Sequence, residues 1–519
     1  MKFCRNCGKE LTDKEKCDCQ GENLSTGIKK SKKNIIIPIC LLGIISLVII
    51  IFIFSKKATV DSPLVSGDES ENTNLENKII ESDKMLTVFN NDNGIAILKN
   101  GELEQVVGSV KYTISNDFSK LIYKDGNSIF YNNGETTERI LSGSSYVGSV
   151  DLRWIAYVDL DNVLYKYNLE TKEKVYVADN AEPVCINNNG VVAYKKTNIS
   201  GASYIVDVNG NKTNPSYSQP VIILNDGTII SIYKKDGQYS EADGEFFYDT
   251  CDLYVGAELI KENINFYSLK FTLLENESSV IVTDENSTHI IEVGKKHISA
   301  DICTQPLLYR TDRVDRSFYV EGSIYINETI LNTDDIKNVR FFSDNTIYVY
   351  DGNDLSQFAT NVSTFYSYGE SILTLENKSI KYYENINDIN SETKVLVSGI
   401  TGFDRWQDKY CYIKNGKLYV ASISGDIKET LVAENVESAN FFGEDIYYFD
   451  NANIKTMYYY DIANNKKEKI IGAVYGWDYN NTNMRFIEIG KENTSKGVIE
   501  KYTAVKGKLI KTGEDLMAG

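Results

Sequence analysis

The chain has 519 residues and carries 55 Lys and Arg against 73 Asp and Glu, a net charge of −18. Nine of those cations and five of the acids fall in residues 1–55, which leaves −22 for residues 56–519, a surface that repels nucleic acid and anionic wall polymers and attracts cationic peptides or divalent ions. Only two His are present and no G-x-S-x-G elbow occurs, so neither a His-x3-His metalloprotease helix nor an α/β-hydrolase nucleophile is encoded.

The first element, residues 1–28, contains FCRNCGKELTDKEKCDCQG from Phe3 onward. Cys4 and Cys7 form a C-x2-C pair whose two intervening residues let both sulfurs turn onto one ion, and Gly8 supplies the freedom such a knuckle needs. Cys17 and Cys19 are separated by one residue, so an extended chain would send them to opposite faces and a turn near Gly21 is required. Four thiolates complete a tetrahedral Zn2+ shell and leave no position for a catalytic water, which makes the expected site structural. Four reduced thiols, or a redox dithiol without the usual βαβ surround, are the alternatives. This stretch resembles the short zinc ribbons at the N-termini of membrane proteins of low-GC Gram-positive bacteria. The resemblance implies the metal-ligand role for Cys4, Cys7, Cys17 and Cys19, with the C-x-C spacing as its departure from the usual second pair.

Residues 29–33 form a basic flank with Lys29, Lys30, Lys32 and Lys33, and residues 34–54 (NIIIPICLLGIISLVIIIFIF) contain no ionisable side chain. At about 1.5 Å per residue the latter reaches ~30 Å, enough to cross a bilayer core, and it is apolar on every face. Ile37, Pro38 and Ile39 before Cys40 do not fit a lipoprotein cleavage site, so Cys40 is read as a packing residue. The cations before the helix predict a cytoplasmic N-terminus and an extracellular C-terminal domain, a single-pass protein of the cell membrane. Residues 55–84 are acidic and lack sustained apolar periodicity, as a flexible linker does.

From residue 85 the pattern changes to short alternating strands broken by Asn, Asp and Gly turns, as in KLIYKDGNSIFYNNG (120–134) and YCYIKNGKLYVASISG (410–425). Cluster-opening residues align at Tyr112, Val150, Val184 and Val221 and again at Phe365, Phe403, Phe441 and Trp477. Their spacing of 34 to 38 residues is that of a four-stranded propeller blade. The chain here resembles bacterial TolB-like and YWTD-like β-propellers, with Asp450 and Asp461 at equivalent turns. The resemblance implies an all-β propeller fold; at ~37 residues per unit the span holds about eleven units, more than one ring of four to eight blades takes, so two small propellers over residues 85–305 and 306–519 are expected, with one larger ring as the alternative. An array of β-sandwiches is the bland alternative.

Chemistry-bearing groups in this region are sparse. His289 and His297 read as surface or strand residues, and Asp159 with Asp161, Asp334 with Asp335, and Asp351 with Asp354 read first as turn residues. Cys185, Cys251, Cys303 and Cys411 lack knuckle spacing; export permits disulfides, but one Cys per distant repeat favours isolated small residues. The expected protein is therefore a membrane-anchored, non-enzymatic surface binding, sensing or scaffold protein. It would have a structural Zn2+ site inside, a protein, peptide or glycan partner outside, and a cytoplasmic partner for the ribbon. The alternative is an exported propeller hydrolase or lyase that uses acidic residues at a propeller mouth.

Overall fold

The computed structural model describes residues 2–3, 10–11 and 86–516, the last apart from short connecting segments of which the longest are 198–203, 308–312 and 480–486. Residues 1–74 and 75–519 form separate compact units. In the first, Lys2 pairs with Leu11 and Phe3 with Glu10 in an antiparallel bridge. Cys4, Cys7, Cys17 and Cys19, the basic flank, the 34–54 stretch and the 55–84 linker lie outside the described residues, and among the described residues no helix is long and apolar enough to cross a membrane.

In the second unit the described residues form strands, turns and two single-turn 3-10 helices, grouped in ten sheets in chain order. The first has three strands (87–107); the next four have four strands each, over 112–142, 145–179, 181–213 and 219–265. The sixth (270–300) gains the hairpin 313–331, because Phe271–Leu274 pairs in parallel with Glu328–Leu331. The seventh joins residues 305–307 to 340–360; the eighth and ninth span 362–398 and 402–434; the tenth has seven strands over 436–516. All other pairings in this unit are antiparallel between chain neighbours, apart from residues 305–307 with 340–342. This succession of four-stranded antiparallel sheets is the arrangement of propeller blades. Trp477 opens no separate unit. It lies within the 14-residue strand Lys466–Tyr479, which runs on to pair with Ile487–Asn493, so the expected final repeat merges into the tenth sheet.

A repeated register device shapes the sheets. In six of them the third and fourth strands slip by one residue, leaving Ile140, Val177, Phe358, Leu396, Val432 and Ile470 as bulge residues. All six are apolar; five sit in the cores between successive sheets, and Ile470 packs in a cluster formed by the tenth sheet alone. A bulge increases local twist, which lets each sheet splay against its neighbour. The connection to the next sheet is equally repetitive. Asn180, Asn361, Gly399 and Asn435 adopt positive φ of 47°, 58°, 77° and 60°. At each, a backbone N–H of that residue or the next bonds the carbonyl of the preceding inner turn, at Asn162, Asn345, Lys378 and Gly416. Asn and Gly tolerate the left-handed region at least cost, which explains the Asn-rich composition of the turns. At the equivalent Gly143 a Cβ would stand 2.5 Å from the Val158 carbonyl oxygen, so the close approach admits only glycine.

Cores lie between successive sheets. Ile347, Val349, Ala359, Val362, Ile372 and Ile386 join the seventh and eighth; Leu373, Ile380, Phe403, Tyr410 and Tyr412 join the eighth and ninth. The largest cluster links the first, second, fifth and sixth sheets through residues such as Ile97, Phe118, Leu253 and Phe271. The last strand, Lys508–Leu516, lies against the first sheet.

Candidate functional site

Turns at one end of sheets two to six interlock. Asn116 N–H donates to the Val150 carbonyl (3.1 Å) and Asp151 N–H to Asn188 Oδ1 (3.0 Å). Asn187 Nδ2 donates to the Leu224 carbonyl (2.9 Å), Asn225 Nδ2 to that of Asn276 (3.0 Å), and Asn276 Nδ2 to that of Asp334 (3.1 Å). Asn332 Nδ2 then returns to the Asn116 carbonyl (2.7 Å), so the circuit closes across 216 positions of sequence. Two carboxylates tie its members together. Glu275 Oε2 accepts from Asn116 Nδ2 (2.9 Å), and Glu277 Oε2 accepts the Asn188 N–H (2.8 Å). Glu277 is 1% exposed and has φ 56°, so the circuit holds a non-glycine residue in the left-handed region.

A second polar cluster lies where the outer strand of the fifth sheet meets the sixth. Ser287 Oγ donates to Asp284 Oδ2 (2.6 Å), receives Lys261 Nζ (2.7 Å) and lies 3.0 Å from His289 Nε2. Lys261 Nζ is 3.2 Å from Asp284 Oδ2, and His289 Nδ1 is 2.8 Å from Ser299 Oγ. The residues come together because the turn at 284–287 is closed by Asp284 Oδ1, which accepts the Asn286 and Ser287 N–H groups. Burial alone raises the Asp284 pKa, but the nearby His289 imidazole, with Nε2 3.8 Å away, and the contacts from Ser287, the Asn286 N–H and Lys261 outweigh it and hold the carboxyl well below the usual carboxylate range. Asp, His and Ser are the side chains of a hydrolytic triad, yet Ser287 is 1% exposed and its Oγ is enclosed by Lys261, Asp284 and His289, so no substrate carbonyl reaches it. The cluster pins two sheets. Asp404 does the same between the ninth and tenth: fully buried, it accepts the Arg405 and Phe441 N–H groups at 2.7 Å each.

Accessible surface features are of another kind. A cleft of about 510 Å3 between the second and third sheets is lined by Arg139, Ser142, Tyr157, Asp159 and Lys174, among others. Tyr157 stacks on Tyr165 (5.8 Å), and Tyr165 meets Tyr176 edge-on (6.2 Å). Lys174 Nζ sits 3.6 Å over the Tyr165 ring; burial lowers its pKa, but the Tyr157 hydroxyl, then Tyr165 and Asp159, outweigh this and raise it. A smaller cleft of about 360 Å3 between the ninth and tenth sheets is lined by Lys409, Tyr460 and Asn465 with aliphatic neighbours. Stacked cross-strand pairs recur at Tyr123 with Phe130, Tyr412 with Tyr419 and Tyr448 with Tyr458.

The acid pairs singled out in the sequence sit in turns and are not gathered into one site. Asp159 Oδ1 accepts the Asp161 and Val163 N–H groups, Asp335 Oδ1 caps a 3-10 turn through the Lys337 N–H, and Asp351 Oδ1 accepts those of Asn353 and Asp354. Asp450 Oδ1 accepts the Thr456 N–H, and Asp461 accepts from Asn464. His289 is a buried strand residue, 3% exposed, whereas His297 is half-buried with Nδ1 3.6 Å from Glu258 Oε1. Cys251 and Cys411 are buried in the cores, Cys185 is half-buried and Cys303 exposed. Among the described residues no group of three or more His, Cys, Asp or Glu is disposed to hold a metal ion. Sequence reasoning missed the Lys261–Asp284–Ser287–His289 cluster; its trace is the Asp-x-x-Ser turn at 284–287 placed two residues before a histidine. The Asn circuit has no comparable trace, because its members are contributed by five different sheets.

The described unit is thus an all-β protein of repeated, blade-like four-stranded sheets. No protein-family model matches the chain, and no curated protein matches it. Among solved structures it is similar to the tricorn protease (10% identity, 76% of this chain and 49% of that one, TM-score 0.25). It is also similar to a eukaryotic initiation factor (7%, 84% and 97%, 0.30) and to TolB from Acinetobacter baumannii (13%, 47% and 65%, 0.28). The chain spans about half the length of the tricorn protease chain it matches. The fold assignment rests on the sheets themselves.

Proposed function

We infer that this chain is a single-pass, membrane-anchored surface binding or scaffold protein. Residues 1–28 form a cytoplasmic ribbon in which Cys4, Cys7, Cys17 and Cys19 hold a structural Zn2+; residues 34–54 cross the membrane; the sheets stand outside on the 55–84 linker and bind a protein, peptide or glycan. The ribbon reading is supported by the pairing of Lys2–Phe3 with Glu10–Leu11, which brackets Cys4 and Cys7. The orientation is supported by the four lysines before the apolar stretch. The closed Asn circuit, running from Asn116 to Asp334, supports a first ring built on sheets two to six and so favours two small propellers over one larger ring.

The observation that carries the binding reading is where the polar chemistry lies. The Asp284, Asp404 and Glu277 carboxylates and the Ser287 hydroxyl are consumed in joining sheets, while tyrosines and aliphatic side chains such as Tyr176, Tyr267 and Ile454 are left exposed. The test is co-purification of the full-length protein from mild detergent beside a version lacking residues 1–33. A stoichiometric surface partner in both samples, with a further partner lost on truncation, is the expected result. Turnover of peptide or glycan substrates by the purified protein, abolished by substituting an acidic residue, overturns it.

A further inference from the structure

We propose that the cleft between the second and third sheets binds an acidic oligosaccharide, with a sugar ring on the tyrosine ladder and its carboxylate between Arg139 and Lys174. This names a ligand class for the surface-binding reading above and rests on it.

The first argument is charge. Nearby, Lys172 pairs with Glu138 at 2.7 Å. Arg139 and Lys174 instead contact neutral groups. Arg139 Nη2 donates to Ser142 Oγ (2.6 Å), and Lys174 lies over the Tyr165 ring beside the Tyr157 hydroxyl. Asp159 is the only acid in the lining, and its Oδ1 is held by two backbone N–H groups. The cleft therefore carries a local positive excess within a strongly acidic domain. At physiological salt the screening length is ~8 Å, so a ligand in the cleft responds to these side chains and little to the distant acids. A planar guanidinium beside an ammonium suits a carboxylate.

The second argument is shape. Tyr157 is 1% exposed and fixed in the core between the sheets; Tyr165 stacks on it, and Tyr176, 54% exposed, meets Tyr165 edge-on outside the lining itself, two residues along the strand from Lys174. Held in this way, Tyr176 offers a flat apolar surface at small entropic cost, which matches the C–H face of a pyranose ring. Asp159 supplies an acceptor for ring hydroxyls. The opening lies along the outer strand of one sheet, Thr137–Ser142, which suits an elongated chain of sugars.

The experiment is titration of the full-length protein in nanodiscs with tetragalacturonate, using neutral cellotetraose and inorganic polyphosphate as controls and tyrosine fluorescence with calorimetry as readouts. Saturable binding of tetragalacturonate is expected, at least tenfold tighter than cellotetraose. Lys174→Gln and Arg139→Gln each weaken it about tenfold. Tyr176→Ala weakens it threefold or more, while Tyr176→Phe, which keeps the ring, retains it; both substitutions are at an exposed position and leave the thermal transition unchanged. No saturation by tetragalacturonate, equal affinity for cellotetraose, polyphosphate binding as tight as the sugar, or indifference to Lys174→Gln each overturns the assignment. A surface protein captured by co-purification under any of those results leaves the binding reading standing and removes only the sugar site.

Discussion

Asp284 shows how a buried charge is made to serve the fold. Its carboxylate is 3% exposed and depends on Lys261, Ser287 and the Asn286 N–H, so it is favoured in the folded protein and its pKa is depressed. A depressed carboxyl contributes stability that is present above its unfolded pKa and lost as pH falls toward the folded one. Stability should therefore decline with acidification below about pH 4, and Asp284→Asn should flatten that decline; urea unfolding from pH 7 to pH 3 measures both. Asp284→Ala, which leaves Lys261 and the turn N–H groups without their acceptor, should cost about 3–5 kcal/mol at neutral pH. A different residue-scale constraint acts at Asn435, whose φ is 60°. Asn435→Val should cost about 1–2 kcal/mol, whereas Asn435→Gly should unfold within ~0.5 kcal/mol of the natural protein, read from the same denaturant midpoints.

At the scale of the strand, the bulge is what makes each sheet a repeat. Val432 interrupts the pairing of Leu418 with Ala433 and of Tyr419 with Leu431, and its side chain enters the core between the ninth and tenth sheets. Deleting Val432 would restore continuous pairing with the same partners opposed, but would remove the local twist of the bulge and the side chain that packs between the ninth and tenth sheets. That variant should lose protease resistance across 402–460, while deletion of one residue from the exposed Asn464–Asn465 turn should leave the 402–434 fragment protected; limited proteolysis with mass mapping distinguishes them. The cores between sheets rest on single aliphatic side chains. Ile380 is fully buried between the eighth and ninth sheets, and Ile380→Ala should remove about 2–5 kcal/mol, seen as a lower urea midpoint.

At the scale of the whole chain, each sheet packs mainly on its neighbours, with the largest core and the Asn circuit supplying the connections that are distant in sequence. Asn116 and Asn332 are each able to break that circuit. Asn332→Leu should lower the unfolding midpoint of residues 112–331 more than that of the later sheets, detectable by hydrogen exchange. Residues 1–74 form a unit of their own, so a metal held by the proposed ribbon should be independent of the sheets. One zinc per chain by elemental analysis, lost on Cys4→Ala with Cys7→Ala and leaving the main thermal transition in place, is the expected result; a transition that collapses on chelation contradicts this independence.

Much of this organisation is legible in the sequence because its causes are local. Period-two apolar alternation, Asn and Gly turns and a spacing near 37 residues specify strands, hairpins and their repetition, since each depends on residues a few positions apart. An uninterrupted apolar stretch flanked by lysines and a C-x2-C knuckle are local signals too, and the expectations built on them concern the anchor and the metal. What the sequence does not expose is which polar residues meet. Asn116 finds Glu275 and Asn332, and Lys261 finds Asp284 and Ser287, only once the sheets are stacked. The same stacking buries His289, which as a sequence feature was indistinguishable from a surface residue, and places Arg139 opposite Lys174 along one cleft. Local steric and hydrophobic preferences determine the repeating unit; the partners of its charged and amide side chains are decided by burial, because only in the packed structure must each of those groups find a hydrogen-bond partner other than water.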